Sequence, residues 1–337
     1  MSHSVIRFAH SAAQGSLRIN VAVICLSIAS LAGAAGPSAA KRAAKPPAPA
    51  GPEPPVAAIV GDEPVYVAEV DDVLAGARKE KARNVNKGGD ALRGAAVEQA
   101  INRRLAAQSL AKEGYAIDEA ETDGLLKDLQ RKLAAQQITF DDFMERHGFN
   151  ELMVRRRLQW DAMWAQFLKN NATDQALEEF FQAHRREYDG TELRVSHILW
   201  PIKPADDAAR LKAAQREAGE VRSRIVAGEM TFAEAARKHS AGPSRRNGGD
   251  LGFIPAHDLM SDAFSRAAFE LEKGAISEPV VDQFGVHLIT CTDVKPGQRT
   301  WSDARRELFH AFSREKFLEL AAAQRKRVQV KIVDLTH

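Results

Sequence analysis

The chain has 337 residues and little cysteine: two residues in all, with no Cys/His cluster at zinc-ligand spacing. A disulfide scaffold is excluded, and a structural zinc site has no support. Aromatic residues make up only 7% of the chain, and 47 Lys+Arg nearly balance 45 Asp+Glu, a formal charge of +2. That balance removes the global basic field of a dedicated nucleic-acid binder. No serine or cysteine stands in a G-x-S-x-G setting, so nucleophilic hydrolysis is unsupported. Gly248 to Gly252 is not followed by the Lys and Ser/Thr of a phosphate-binding loop. What is present is 45% hydrophobic residues rich in Ala, Arg and Glu. This composition belongs to a helix-rich protein, and the length calls for about two domains.

The long apolar run is confined to the start. Arg7 and Arg18 precede Ile19 to Leu31, and Ala32-Gly33-Ala34 follows as a small-x-small exit. Residues 1–35 read as a secretory signal peptide. The competing reading is an uncleaved anchor, because Ile19 to Ala35 is 17 residues, the lower limit of a membrane span of about 17–25. Residues 36–55 hold seven prolines and six alanines and read as a spacer that cannot offset its ordering entropy. Leader and spacer together carry five basic residues against Glu53, so the remainder has 42 basic and 44 acidic residues and is slightly acidic.

From Val56 to Val67 the pattern is a hairpin turning at Gly61-Asp62. Helical periodicity follows to about residue 190, with Leu125, Leu129 and Leu133 four apart and helix starts at Thr139, Asn150 and Thr173. Trp160, Trp164 and Phe167 share one side of a helix. Aromatics at that spacing usually belong to a core, and the alternative is a surface that grips unfolded chains. At Glu192 the period changes to two: Leu193, Val195, His197 and Leu199 alternate with their neighbours. A long helix then runs from Pro204 to Gly228, and Thr231 with Glu234 forms a capping box. A glycine-rich loop, Asn247 to Gly252, a helix from Ser261 to Glu270, and strands near Pro279 to Val281 and Val286 to Thr292 complete the unit. Residues 300–320 return to helix, and Val328 to Val333 alternates as a strand. A lone helix and strand form no core, so residues 297–337 are expected to pack back on the helical part.

His197 and His287 lie on the first and last strands of this unit. Two such histidines can bind a metal, act as acid and base, or fill a polar spot in a sheet. No third ligand stands at suitable spacing.

Jointly, several motifs of this unit resemble the parvulin family of peptidyl-prolyl isomerases. They are Arg194-Val-Ser-His-Ile-Leu199, Thr231-Phe-Ala-Glu-Ala-Ala236, His239-Ser240, Gly248-Gly-Asp-Leu-Gly252, Met260 to Phe264, Gly274 to Pro279 and Phe284-Gly-Val-His-Leu-Ile289. The leader, the helical segment and the returning C-terminal helix resemble the SurA and PrsA type of extracytoplasmic foldase.

The resemblance implies an α+β chain. A helical chaperone-like domain (residues 56–190, with 297–337 returning) would hold an inserted parvulin domain at 191–296, a four-stranded antiparallel sheet with surrounding helices. It implies a proline pocket of Leu251, Met260 and Phe264 with Phe284 at the rim, and His197 and His287 hydrogen-bonded beneath it as the catalytic pair. No metal and no cofactor are implied. The expected partners are unfolded exported proteins and X-Pro segments, with no nucleic acid, and with membrane association only through residues 19–35. The location would be periplasm or cell envelope. One position departs from the family. Many parvulins carry Cys or Asp two residues after the serine matching Ser240, where this chain has Gly242. The expected function is an exported isomerase and foldase. The alternatives are a holdase whose parvulin domain is weak or inactive, and a scaffold at a membrane complex.

Overall fold

The computed structural model describes residues 54–81, 89–202, 208–257 and 260–333. The leader, nearly all of the spacer and the expected helix start at Pro204 lie outside the described residues. Among the described residues no helix is long and apolar enough to cross a membrane; the 19–35 segment is not among them. The chain divides into two compact units: residues up to 170 together with those from 315 on, and residues 171–314.

In the first unit β1 (Val56–Val60) and β2 (Glu63–Tyr66) form the expected hairpin, with Gly61 in the left-handed region at φ +61°. The C-terminal strand Val330–Ile332 pairs antiparallel with the other edge of β1, giving a three-stranded sheet. Helices α1 (Val67–Lys81), α2 (Gly89–Leu110), α3 (Glu119–Ala135), α4 (Phe140–His147) and α5 (Glu151–Asn171) follow. Thr139 caps α4 through its side chain, and Asn150 Oδ1 accepts from Met153 N–H at the start of α5. Helix α5 feeds two cores. Trp160, Met163 and Phe167 join Ile101, Leu105 and Val60, whereas Val154 and Leu158 join Leu126, Leu129 and Leu133. The aromatic trio thus belongs to the core, with Trp160 stacked on Trp164 at 5.4 Å.

The second unit opens with α6 (Asp174–Ala183), capped by Thr173, and the short α7 (Arg185–Tyr188). The sheet comprises β3 (Glu192–Pro201), β4 (Asp250–Pro255), β5 (Val280–Asp282) and β6 (Gly285–Lys295). It is antiparallel throughout, in the order β4-β3-β6-β5. Helices α8 (Ala208–Val226), α9 (Phe232–His239) and α10 (Asp262–Phe269) surround it. The mixed helix-and-sheet class and the four-stranded sheet are as expected. The period of two in β3 and β6 sorts side chains between faces. Leu193, Val195, Ile289 and Cys291 pack with Phe264 and Phe269 of α10, whereas Ile198, Trp200, Val286 and Leu288 pack with Ala214, Ala218 and Val221 of α8. Cys291 is a free, buried thiol whose pKa burial pushes up. Helix α11 (Arg305–Arg325) contains the boundary between the units. Its Leu308 and Phe312 pack with Leu177 and Phe181 of α6 in the second unit, and its Ala321 belongs to the core of the first.

Candidate active site

The phase of β3 that sends Leu193 and Val195 towards α10 also sends His197 there. On β6, His287 follows Gly285 with the same parity as Ile289. Both imidazoles are buried, 5% and 2% exposed, and their Nδ1 atoms lie 3.4 Å apart, a long contact. Phe264, fully buried on α10, meets both rings edge-on, at centroid distances of 5.9 Å to His197 and 5.4 Å to His287. Leu251 and Met260 pack half-buried on the core that contains Phe264. Phe284 differs: it stands 49% exposed on the turn between β5 and β6, outside that core. The structure therefore gathers five of the six expected site residues and leaves Phe284 at the margin.

Two glycines hold the backbone around His197 and the β5–β6 turn. Gly249 has φ +85°, and a Cβ there would lie 2.4 Å from the His197 carbonyl oxygen; its own carbonyl accepts from His197 N–H at 2.9 Å. Gly285 has φ +143°, and a Cβ would come within 2.0 Å of the Trp200 carbonyl oxygen. Each close approach needs a residue without a side chain. Ser240 Oγ accepts from Leu199 N–H and Gly242 N–H, both at 3.1 Å, and so ties the loop to β3.

Sequence reasoning missed Asp282. Its carboxylate accepts from His287 Nε2 at 3.0 Å, Ser261 Oγ at 2.7 Å, Phe284 N–H at 2.7 Å and Gly285 N–H at 3.3 Å. Burial pushes this carboxyl up, but the bonds from Ser261, Phe284 and His287 outweigh it and hold the group below its ordinary range. Ser261 is itself the N-cap of α10, accepting from Phe264 N–H at 3.2 Å. One carboxylate thus fastens the His287 ring, the β5–β6 turn and the helix that carries Phe264. The available signal was the Asp-Gln-Phe-Gly turn, since an Asp whose side chain accepts from the backbone two residues on is a common turn former.

An ionised Asp282 can only accept, so His287 carries its proton on Nε2. In the tautomer that leaves His287 Nδ1 without a proton, His197 donates to it from Nδ1, and His197 Nε2 is left with a lone pair. That atom is buried and has no hydrogen-bond partner among the described residues. Burial, then repulsion from His287, lower the His197 pKa to about 4, with Asp282 opposing, so the ring is neutral at pH 7. A Cβ at Gly242 would lie 3.1 Å from this Nε2. Among the described residues no group of three or more His, Cys, Asp or Glu could hold a metal ion.

The family profile of the PPIC-type PPIase (rotamase) domain matches residues 197–293, which contain this pair of rings, Asp282 and the apolar residues beside them. Residues 197–293 form a parvulin domain. The resemblance read from the motifs is borne out, and this is a peptidyl-prolyl isomerase domain. The chain is similar to the SurA protein of Haemophilus influenzae, with 27% identity over 64% of this chain and 72% of that protein. It is similar as well to the foldase protein PrsA of Bacillus subtilis, with 25% identity over 66% of this chain and 68% of that one. Identity rises to 38% with the chaperone SurA of Photorhabdus laumondii, over 43% of this chain and only 34% of that chaperone. The parvulin domain therefore sits in a chain of SurA and PrsA likeness.

Proposed function

We propose that this chain is an exported foldase: it binds unfolded polypeptide and accelerates X-Pro isomerisation without covalent chemistry. Rotation about the amide must break C–N resonance, a barrier of about 18–20 kcal/mol, and the uncatalysed exchange takes about tens to hundreds of seconds. A catalyst needs no nucleophile; it needs surroundings that favour the twisted amide over the charge-separated planar one. Leu251 and Met260 would hold the proline ring over the Phe264 floor, and the neutral His197 ring, paired with a His287 that Asp282 orients, would keep an aligned polar base beneath it. Phe284 would stand at the rim of this pocket. The observation that carries the proposal is the convergence of both buried histidines on Phe264 inside the segment that matches the parvulin family.

Residues 56–190 with 297–337 would serve as the chaperone-like part and 191–296 as the isomerase part. Export would rest on residues 1–35, and the place of action would be the cell envelope. A second reading is a holdase with a weak isomerase domain. Gly242 favours it, because the side chain that many parvulins place there is missing beside His197 Nε2.

A protease-coupled isomerisation assay on short X-Pro peptides with the purified chain separates the two. The foldase reading expects a rate above background that falls at least about tenfold in Met260→Ala, the effect of losing about 1.4 kcal/mol of transition-state contact. Phe264 is unsuitable for this test because truncating a fully buried Phe costs about 3–5 kcal/mol of stability. No rate above background from a folded chain sinks the foldase reading and leaves the holdase. An unchanged rate in Met260→Ala rejects the pocket.

A further inference from the structure

The first unit contains a cavity of about 610 Å³ whose lining includes none of the isomerase-site residues named above. That volume falls within the range of about 300–1,000 Å³ typical of ligand sites. Met153, Trp160 and Met163 supply apolar wall, and Arg103, Arg104 and Arg157 bring positive charge to it. Two of these arginines are already satisfied. Arg104 pairs with Glu63 and Glu69, each at 2.8 Å, and Arg157 pairs with Asp72 at 2.5 Å and Asp161 at 3.2 Å. Arg103 is not: among the described residues its guanidinium makes no hydrogen bond and has no carboxylate within 4.0 Å. Burial, and then the Arg157 charge, press its pKa down to about 10, with Asp72, Asp161 and Glu69 opposing, so it remains a cation at neutral pH.

Glu69, Asp72 and Asp161 act on this cation only from beyond contact distance and are themselves paired with Arg104 or Arg157, so the Arg103 fork is left open for an anion, and it matches a carboxylate best. The apolar wall selects what carries that carboxylate. We infer that the cavity binds a carboxylate borne by an apolar stretch of unfolded polypeptide, with Arg103 as its partner. This rests on the reading that the chain binds unfolded polypeptide, and it gives that binding a chemical preference separate from proline. An acidic side chain and a chain-terminal carboxylate offer the same group.

The test uses three fluorescent, proline-free apolar peptides titrated by anisotropy onto the purified full chain. One is capped at both ends and carries a single Glu; the second replaces Glu with Gln; the third keeps Gln but has a free C-terminal carboxylate. A charge-assisted pair is worth about tenfold or more in affinity. At least one carboxylate peptide should therefore bind about tenfold tighter than the capped Gln peptide, and the better of the two names the source. Arg103→Gln should erase that gain, and Arg103→Lys should keep part of it. Equal affinity of all three peptides for the unmutated chain overturns the inference without reference to any variant. So does a gain that survives Arg103→Gln in a folded protein. Failure to bind any of the peptides overturns it together with the polypeptide-binding reading, whereas equal binding leaves that reading standing.

Discussion

Acidification should loosen the parvulin domain through His197. The ring is buried, and its pKa lies at about 4, against 6.5 for the free group. A group whose folded pKa is depressed binds fewer protons folded than unfolded. The stability tied to the neutral ring is therefore complete above about pH 6.5 and drains away as the pH falls towards 4. Between pH 7 and pH 4.5 the loss from this one ring amounts to about 2.5 kcal/mol. The cause is local. Protonating His197 places a cation under Phe264, beside His287, with Asp282 reaching it only through that second ring. Amide hydrogen exchange of β3 and β6, corrected for intrinsic rates, reads the opening free energy of this sheet without interference from the other unit. His197→Asn removes the proton site. The variant should start less stable at pH 7, because His287 loses its partner. It should then lose about 2.5 kcal/mol less than the unmutated chain by pH 4.5. Parallel pH profiles for the two proteins would refute the burial argument for His197, whatever their absolute stabilities.

Two further substitutions probe the same network. Asp282→Ala strands four donors around one buried position and should cost about 3–5 kcal/mol, as breaking a buried pair does, with Asp282→Asn losing about half of that. A thermal melt of the Ala variant within about 2 °C of the unmutated chain, where a loss of 3 kcal/mol should shift it by about 10 °C, would reject the network. Gly242→Cys should act in the opposite direction. Gly242 has φ −70° and ψ 157°, open to any residue, and a thiol there can donate to the orphaned His197 Nε2. The Cβ contact of 3.1 Å demands a small adjustment, so the expected gain is about 1 kcal/mol, read as a melt raised by about 2–4 °C. A lowered melt would show that the squeeze outweighs the bond.

How much of this was legible depends on whether the controlling force is local. Thr139, Thr173 and Thr231 start helices as read, because a side-chain cap acts within three residues; at Thr231 both halves of the capping box form with Glu234. The alternation that placed His197 on one face with Leu193 and Val195 is equally local. Strand β4 was harder to place. The sequence reads Asn247 to Gly252 as loop, yet the strand begins at Asp250, with Gly252 at φ +75° inside it. Its extended backbone is imposed by pairing with β3, which no local pattern encodes. The pairing of Val330 with Val60 is likewise invisible to any window, since 270 residues separate the two. Among the α3 leucines the spacing was right but the choice was off by one: Leu126 is buried and Leu125 lies at its edge.

The site shows the same division in sharper form. His197, His287 and Phe264 were findable because each sits in a motif with its own local rule. Asp282 was not, because its importance arises from where four separate donors arrive. His287 comes from the neighbouring strand, Ser261 from a helix cap twenty-one residues earlier, and two backbone groups from the turn it begins. That convergence also reorders the meaning of Gly242. Read alone, the glycine is a missing catalytic group. In the structure, Asp282 fixes the proton on His287 Nε2, the donor path then runs from His197 towards His287, and the final lone pair at His197 Nε2 faces the place where a side chain at 242 would stand. The network is thus anchored at its Asp282 end and unfilled at its Gly242 end. Losses at the anchored end should appear first in stability and in the placement of Phe264. Additions at the unfilled end can satisfy His197 without moving the ring, because Asp282 already holds its partner.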